Sequence, residues 1–214
     1  MNVVHVGPPQ GRLGYRRVVL DAGGTFRLRP ADISALGLDA GVEIDAAALA
    51  QVRGRAEQAL ADETVYRLLA IRPRSRKELT DRLRRRGIAP DIVAATIADL
   101  ERGGLVDDHR FADAWVRSRI ALQPSGRVRL RYELMRKGVA REVIDRTLHE
   151  TLSEADEGTL ARDVARARLR RYYGLSREVA ARRLAGVLQR RGFSTAVIAR
   201  VLRDMLGSLS QGTD

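Results

Sequence analysis

The densest set of side chains able to hold a ligand is a run of cations: Arg72, Arg74, Arg76, Lys77, Arg82, Arg84, Arg85 and Arg86, offset only by Glu78 and Asp81. A second set follows at Arg127, Arg129, Arg131, Arg136, Lys137 and Arg141, and a third at Arg177, Arg182, Arg183, Arg190 and Arg191. Guanidinium groups hold phosphates and carboxylates by forked hydrogen bonds, so the chemistry on offer is anion binding. Three tyrosines, Tyr132, Tyr172 and Tyr173, lie among these arginines. Aromatics beside cations can stack on the bases of single strands, although at helical spacing they more often fill a core.

Acid–base and metal chemistry find less support. Asp107, Asp108, His109 and Asp113 form one compact group. A two-metal nuclease needs several carboxylates converging on one site, and no second acidic cluster accompanies this one. The better reading is helix capping by Asp107 or Asp108, with His109 and Asp113 as an exposed pair four residues apart. His5 and His149 are isolated, and no phosphate-binding loop of the nucleotide-hydrolysing type occurs. Gly11, Arg12, Leu13 and Gly14 only mimic a GxxG loop and read as part of a loose segment. No catalytic residue, metal or cofactor is expected.

The cations are carried on a repeated frame. The first copy has Leu79, Leu83, then Arg86, Gly87, Ile88, then Ile92 and Ile97. Leu130, Leu134, Lys137, Gly138, Val139, Val143 and Leu148 repeat every spacing, as do Leu184, Leu188, Arg191, Gly192, Phe193, Val197 and Leu202. Leucines four apart share one helix face. The glycine supplies the left-handed residue that ends a helix, and the basic pair before it suits the negative helix end. Pro90 fits the first turn of the next helix, and Ser194 or Thr195 could cap its third counterpart. Leading helices are expected over 62–71, 108–121 and about 159–173, closed by Pro73, by Pro124 and Gly126, and by Gly174. They face inward with Val65, Leu68 and Leu69, with Phe111, Trp115 and Ile120, and with Leu160 and Val164. Each unit is thus three helices, and three units in tandem predict an elongated array.

The basic pairs Arg85 and Arg86, Arg136 and Lys137, and Arg190 and Arg191 have helix-end electrostatics as an explanation already. Cations at a helix start oppose the dipole, so Arg74, Arg76, Lys77, Arg127 and Arg129 are the stronger binding candidates. The candidate surface comprises Arg72, Arg74, Arg76, Lys77, Arg82, Arg85, Arg86, Arg127, Arg129, Arg131, Arg136, Lys137, Arg182 and Arg183.

Composition agrees. The 214-residue chain carries a formal charge of +12, almost all of it from arginine, since Lys77 and Lys137 are the only lysines. Residues 1–61 hold 7 basic and 6 acidic side chains, and residues 62–214 hold 32 and 21. An anionic partner is therefore expected, nucleic acid first, against the plainer alternative of an arginine-rich solvated surface. Cysteine is absent, which excludes disulfides and thiol catalysis and fits a reducing cytoplasm. No apolar run is long enough to span a membrane, and the N-terminus lacks the build of a secretory signal. Without a heptad seam, a monomer is expected.

The fold predicted is mainly α: three three-helix repeats preceded by a small β-hairpin-containing region. A loose arm covers 1–12 and a β-rich region 13–45, with a hairpin over 15–29, a turn at Asp21, Ala22, Gly23 and Gly24, a short helix after Pro30 and a third strand over 41–45. That region is small for a core of its own. A connecting helix covers 46–61, with breaks at Gly54 or Asp62. The repeats occupy 62–106, 107–154 and 155–207, and a disordered tail 208–214.

Residues 103–119, GGLVDDHRFADAWVRSR, and 68–87, LLAIRPRSRKELTDRLRRRG, resemble the RecX family of bacterial recombination regulators. The resemblance covers about residues 62–206. It implies a non-enzymatic cytoplasmic regulator of homologous recombination, DNA repair and the SOS response. Such a protein binds the RecA filament on single-stranded DNA and, more weakly, DNA itself, inhibits ATPase and strand exchange, and limits filament growth. Two other readings of the same residues are a helix-turn-helix transcription regulator and a helical scaffold for an acidic protein.

Overall fold

A computed structural model describes residues 1–11 and 13–207, with the side chains of 154, 155, 206 and 207 left aside. The chain forms two compact units: residues 1–74 with 78–106, and residues 75–77 with the chain from Asp107 onward. The tail assigned to 208–214 and Arg12 lie outside the described residues.

The first unit begins with an antiparallel sheet in the order β1 (Val3–Val6), β2 (Arg16–Leu20), β3 (Thr25–Leu28). The β2–β3 hairpin turns through Gly23 at φ 82°, as its glycine pair predicts. Two expectations are corrected. Residues 3–6 are a strand paired with β2, not part of a loose arm. Residues 41–45 contribute a single bridge, Asn2 to Glu43, instead of a strand. The third strand thus comes from the N-terminus, where Val3, His5 and Val6 supply a pattern too short to read beside Gly7, Pro8 and Pro9.

After α1 (Pro30–Ala35), helix α2 runs unbroken through Ala46–Leu69. Neither Gly54 nor Asp62 breaks it. A glycine costs only about 1 kcal/mol in a helix interior, and Gln58 and Arg29 hold Asp62 in place. The start is fixed by Asp45, whose carboxylate accepts a hydrogen bond from the Ala48 N–H at 2.7 Å. Val3, Val18, Leu20, Leu28, Ile33, Leu38, Ile44 and Val52 form one buried cluster. The β-rich region therefore has a core, contrary to expectation, because the first half of α2 closes it. The second half leads the first repeat, and its Val65 packs with Leu79 and Leu83 of α3 (Arg76–Arg85) and Val93 and Ile97 of α4 (Pro90–Arg102).

The second unit holds the other two repeats. Helices α5 (Asp108–Leu122), α6 (Arg127–Arg136) and α7 (Arg141–Thr151) enclose Phe111, Val116, Leu130, Leu134, Ile144 and Leu148. Helices α8 (Glu154–Leu169), α9 (Arg177–Arg190) and α10 (Thr195–Gly207) enclose Val164, Leu184, Leu188, Phe193 and Val201. A 3-10 turn over Arg170–Tyr172 extends α8. Ser153 and Asp156 form a reciprocal capping box at the start of α8.

The glycine joints behave as the spacing predicts. Gly87, Gly138 and Gly192 have φ of 77°, 78° and 79°. The N–H groups of Ile88, Val139 and Phe193 donate back to the carbonyls of Leu83, Leu134 and Leu188 at 3.3, 3.2 and 3.2 Å. This is the six-to-one bond of a Schellman stop, made three times with an apolar residue after each glycine.

Candidate nucleic-acid interface

The repeats place their cations at both ends of α3, α6 and α9, and the two ends have different jobs. At the C-terminal ends, the residue just before each glycine turns back on its own chain. Arg86 donates to Thr64 Oγ1 at 3.1 Å, Lys137 lies 4.7 Å from the centre of the Trp115 ring, and Arg191 donates to the Pro124 carbonyl at 2.9 Å. These three hold a leading helix, or the loop after one, to its second helix. One residue earlier, Arg85, Arg136 and Arg190 face solvent.

At the N-terminal ends the expectation that helix-start arginines lack a structural role fails for two of them. The Arg127 guanidinium donates to the carbonyls of Leu148 and Leu152, capping the end of α7, and Glu157 stands 3.8 Å away. The opposing dipole is met by acids from the next leading helix. Asp108 accepts from the Arg76 N–H and Glu157 from the Arg127 N–H, both at 2.8 Å. Arg129 pairs with Glu133 at 3.0 Å and reaches the Arg190 carbonyl at 3.4 Å. Sequence offered no hint of these partners, since each lies on another element or depends on which side chain turns inward.

Glu133 is a hub that sequence reasoning missed. It accepts from Trp115 Nε1 at 3.0 Å, Arg119 Nε at 2.8 Å and Arg129 Nε at 3.0 Å. Burial pushes its carboxyl up, but the bonds from Arg129 and Trp115 and the charge of Arg119 outweigh it and hold the group below its ordinary value. Elsewhere Arg72 forks onto both Glu78 oxygens at 3.1 Å, and Arg131 pairs with Asp145 at 2.5 Å. His109 pairs with Glu150 at 3.2 Å instead of Asp113, which Arg117 holds at 2.9 Å from the next turn. Asp107 caps α5 as expected. Among the described residues no group of His, Cys, Asp and Glu could hold a metal.

What remains available for an anion is narrower than the set of cations read from sequence. In the first unit Arg74, Arg82 and Arg85 line an open recess of about 240 Å³ with Leu68, Glu78 and Asp81. Arg74 Nε is buried there with no hydrogen-bond partner. Burial pulls its guanidinium below the ordinary arginine value, and the like charge of Arg72 adds to this. Arg82, Arg84 and Arg85 make no ion pair among the described residues; Arg84 was outside the expected set. In the second unit Arg76, Lys77, Arg136, Arg182 and Arg183 are exposed. Arg136 and Arg183 each lie 5.8 Å from a tyrosine ring, Tyr132 and Tyr172. Tyr172 joins the third core, whereas Tyr173 is 97% exposed.

Fold and surface together define a class: an arginine-rich protein built on tandem three-helix repeats behind a small sheet domain. Sequence models of the RecX family's first, second and third three-helix domains match residues 63–100, 107–148 and 155–202. Regulatory protein RecX of Thermobifida fusca (strain YX) is 41% identical over 140 residues, covering 65% of this chain and 75% of the relative. That of Streptomyces lividans is 38% identical over 148 residues, covering 69% and 78%. The chain belongs to the RecX family. A crystal structure of regulatory protein RecX has the same fold across 97% of this chain and 98% of its own, with a TM-score of 0.72 at 23% identity. RecX from Lactobacillus salivarius matches 69% of this chain with a TM-score of 0.65 at 21% identity.

Proposed function

We propose that the chain is a non-enzymatic regulator that binds the RecA recombinase in its filament on single-stranded DNA. It inhibits ATP hydrolysis and strand exchange and limits filament growth, and it acts in the cytoplasm as a monomer. Its relatives carry the name regulatory protein RecX, which supports a regulatory role. The observation that carries the binding reading is the set of guanidinium groups left without carboxylates on the second helices, Arg82 and Arg85 with the orphaned Arg74 Nε in the first repeat. Cations serving only the fold are satisfied by the fold, as Arg127 is. Cations held open meet phosphate or carboxylate from outside. Among the described residues no helix is long and apolar enough to cross a membrane, and no catalytic constellation competes with this reading.

The test is RecA ATPase on single-stranded DNA with substoichiometric amounts of this chain. Inhibition supports the reading; full activity in the presence of excess protein overturns it.

A further inference from the structure

The outward face of α6 differs in kind from the same face of its two counterparts. Val128, Tyr132 and Met135 are 56%, 60% and 59% exposed, on the side of α6 away from the buried Leu130 and Leu134. Spacings of four and three residues put them in one stripe. The positions matching them in α3 are Lys77, Asp81 and Arg84, and in α9 they are Arg182, Gly186 and Gln189. Three helices built to one pattern thus carry a solvated face twice and an apolar one once. Folding does not require the apolar version, because the other two copies do without it.

Cations edge the stripe. Arg136 lies on one side with its guanidinium over Tyr132 and no carboxylate partner among the described residues. Arg131 lies on the other, tied to Asp145. An aromatic, a flexible thioether and a valine rimmed by arginine have the make-up of a protein-binding hot spot. A base-stacking surface would use the ring of Tyr132 but gains little from Val128 and Met135 beside it. A second copy of this chain would bring the same arginines against each other.

We infer that Val128, Tyr132 and Met135 dock an apolar segment flanked by acidic residues, supplied by a partner protein. This rests on the proposed function only in identifying RecA as the partner. The surface is distinct from the Arg74, Arg82 and Arg85 recess and adds an apolar contact to the electrostatic one.

The test uses the full chain and a triple variant, Val128→Ser, Tyr132→Ser and Met135→Ser, whose unchanged thermal midpoint shows that the fold is kept. Arg136→Glu is the second variant. Probes are a labelled amphipathic peptide with leucines on one face and glutamates beside them, its lysine-flanked counterpart, and oligo-dT. The glutamate peptide should bind and the lysine peptide should not. The triple variant should lose the glutamate peptide by about tenfold or more, Arg136→Glu should weaken it, and oligo-dT affinity should stay within about twofold. Equal binding of both peptides, an unaffected triple variant, a parallel loss of oligo-dT binding, or a dimer of the parent that the triple variant dissolves would each overturn the inference. Retention on RecA filaments separates the two claims. A parent chain that is not retained sinks the proposed function, while the peptides still decide this inference; a triple variant retained as well as the parent sinks the inference alone.

Discussion

The carboxylate of Asp108 accepts a hydrogen bond from the backbone N–H of Arg76, 2.8 Å away, and Glu157 does the same for Arg127. An acid at the start of one leading helix thus caps the second helix of the repeat before it. The repeated glycine sits at the same place. A Cβ on Gly138 would meet the Lys77 side chain, and one on Gly192 would overlap Arg129. The glycine required to stop one helix also lets the start of another come close.

Asp108→Ala removes a cap and should cost about 0.5–2 kcal/mol, with Asp108→Asn retaining most of it. Urea unfolding of the three chains checks this. Equal stability of the alanine and parent chains would show the cap to be idle.

Gly192→Ala and Gly174→Ala separate the two roles of glycine. Both positions have positive φ, 79° and 84°, but only Gly192 has neighbours a Cβ would strike. Gly174→Ala should cost roughly 1–2 kcal/mol for its conformation. Gly192→Ala should cost that and about 1–3 kcal/mol more for the overlap. Denaturant midpoints that fall together would deny the close approach.

Glu133 should make the second unit acid-sensitive. Its carboxyl is held below the ordinary value, so the folded chain binds that proton less tightly than the unfolded one. The stabilisation is complete above the unfolded value near ~4.3 and is lost as pH falls through the folded one. Comparing urea stability of the parent and Glu133→Gln across this range, the gap between them should close toward acid pH. A gap that widens has the wrong sign.

Arginines with internal partners and open arginines should part ways. Arg127→Gln strands the carbonyls of Leu148 and Leu152 and should cost about 1–3 kcal/mol. Arg82→Gln with Arg85→Gln should leave stability within about 0.5 kcal/mol. The double variant should bind oligo-dT more weakly, its salt slope shallower by about 0.7 for each phosphate it no longer neutralises. Titrations at several salt concentrations measure this.

The helical frame was legible because it rests on local rules repeated three times. Leu79, Leu83 and Gly87 spell a helix face and its stop, and Leu130, Leu134 and Gly138 repeat them. The family resemblance on 68–87 and 103–119 was legible for the same reason, since it lies within matched segments. The N-terminal sheet was only half legible. Its hairpin announces itself through Gly23 and Gly24, but β1 depends on a partner far along the chain. The candidate surface was least legible. Arg82 and Arg127 look alike in sequence, and only the carbonyl ends of α7 beside one of them tell structural cation from open one. The stripe on α6 escaped notice because Val128, Tyr132 and Met135 read as ordinary helix residues until the core claims Leu130 and Leu134 instead.

The central claim is that open arginines on the repeats bring this chain to RecA filaments. The direct measurement is the concentration giving half-inhibition of RecA ATPase on single-stranded DNA, for the parent and for Arg82→Glu with Arg85→Glu. The account predicts inhibition by the parent below stoichiometry and a rise of about tenfold or more in that concentration for the charge-reversed chain. Equal potency of two folded chains, or no inhibition by the parent, would contradict it.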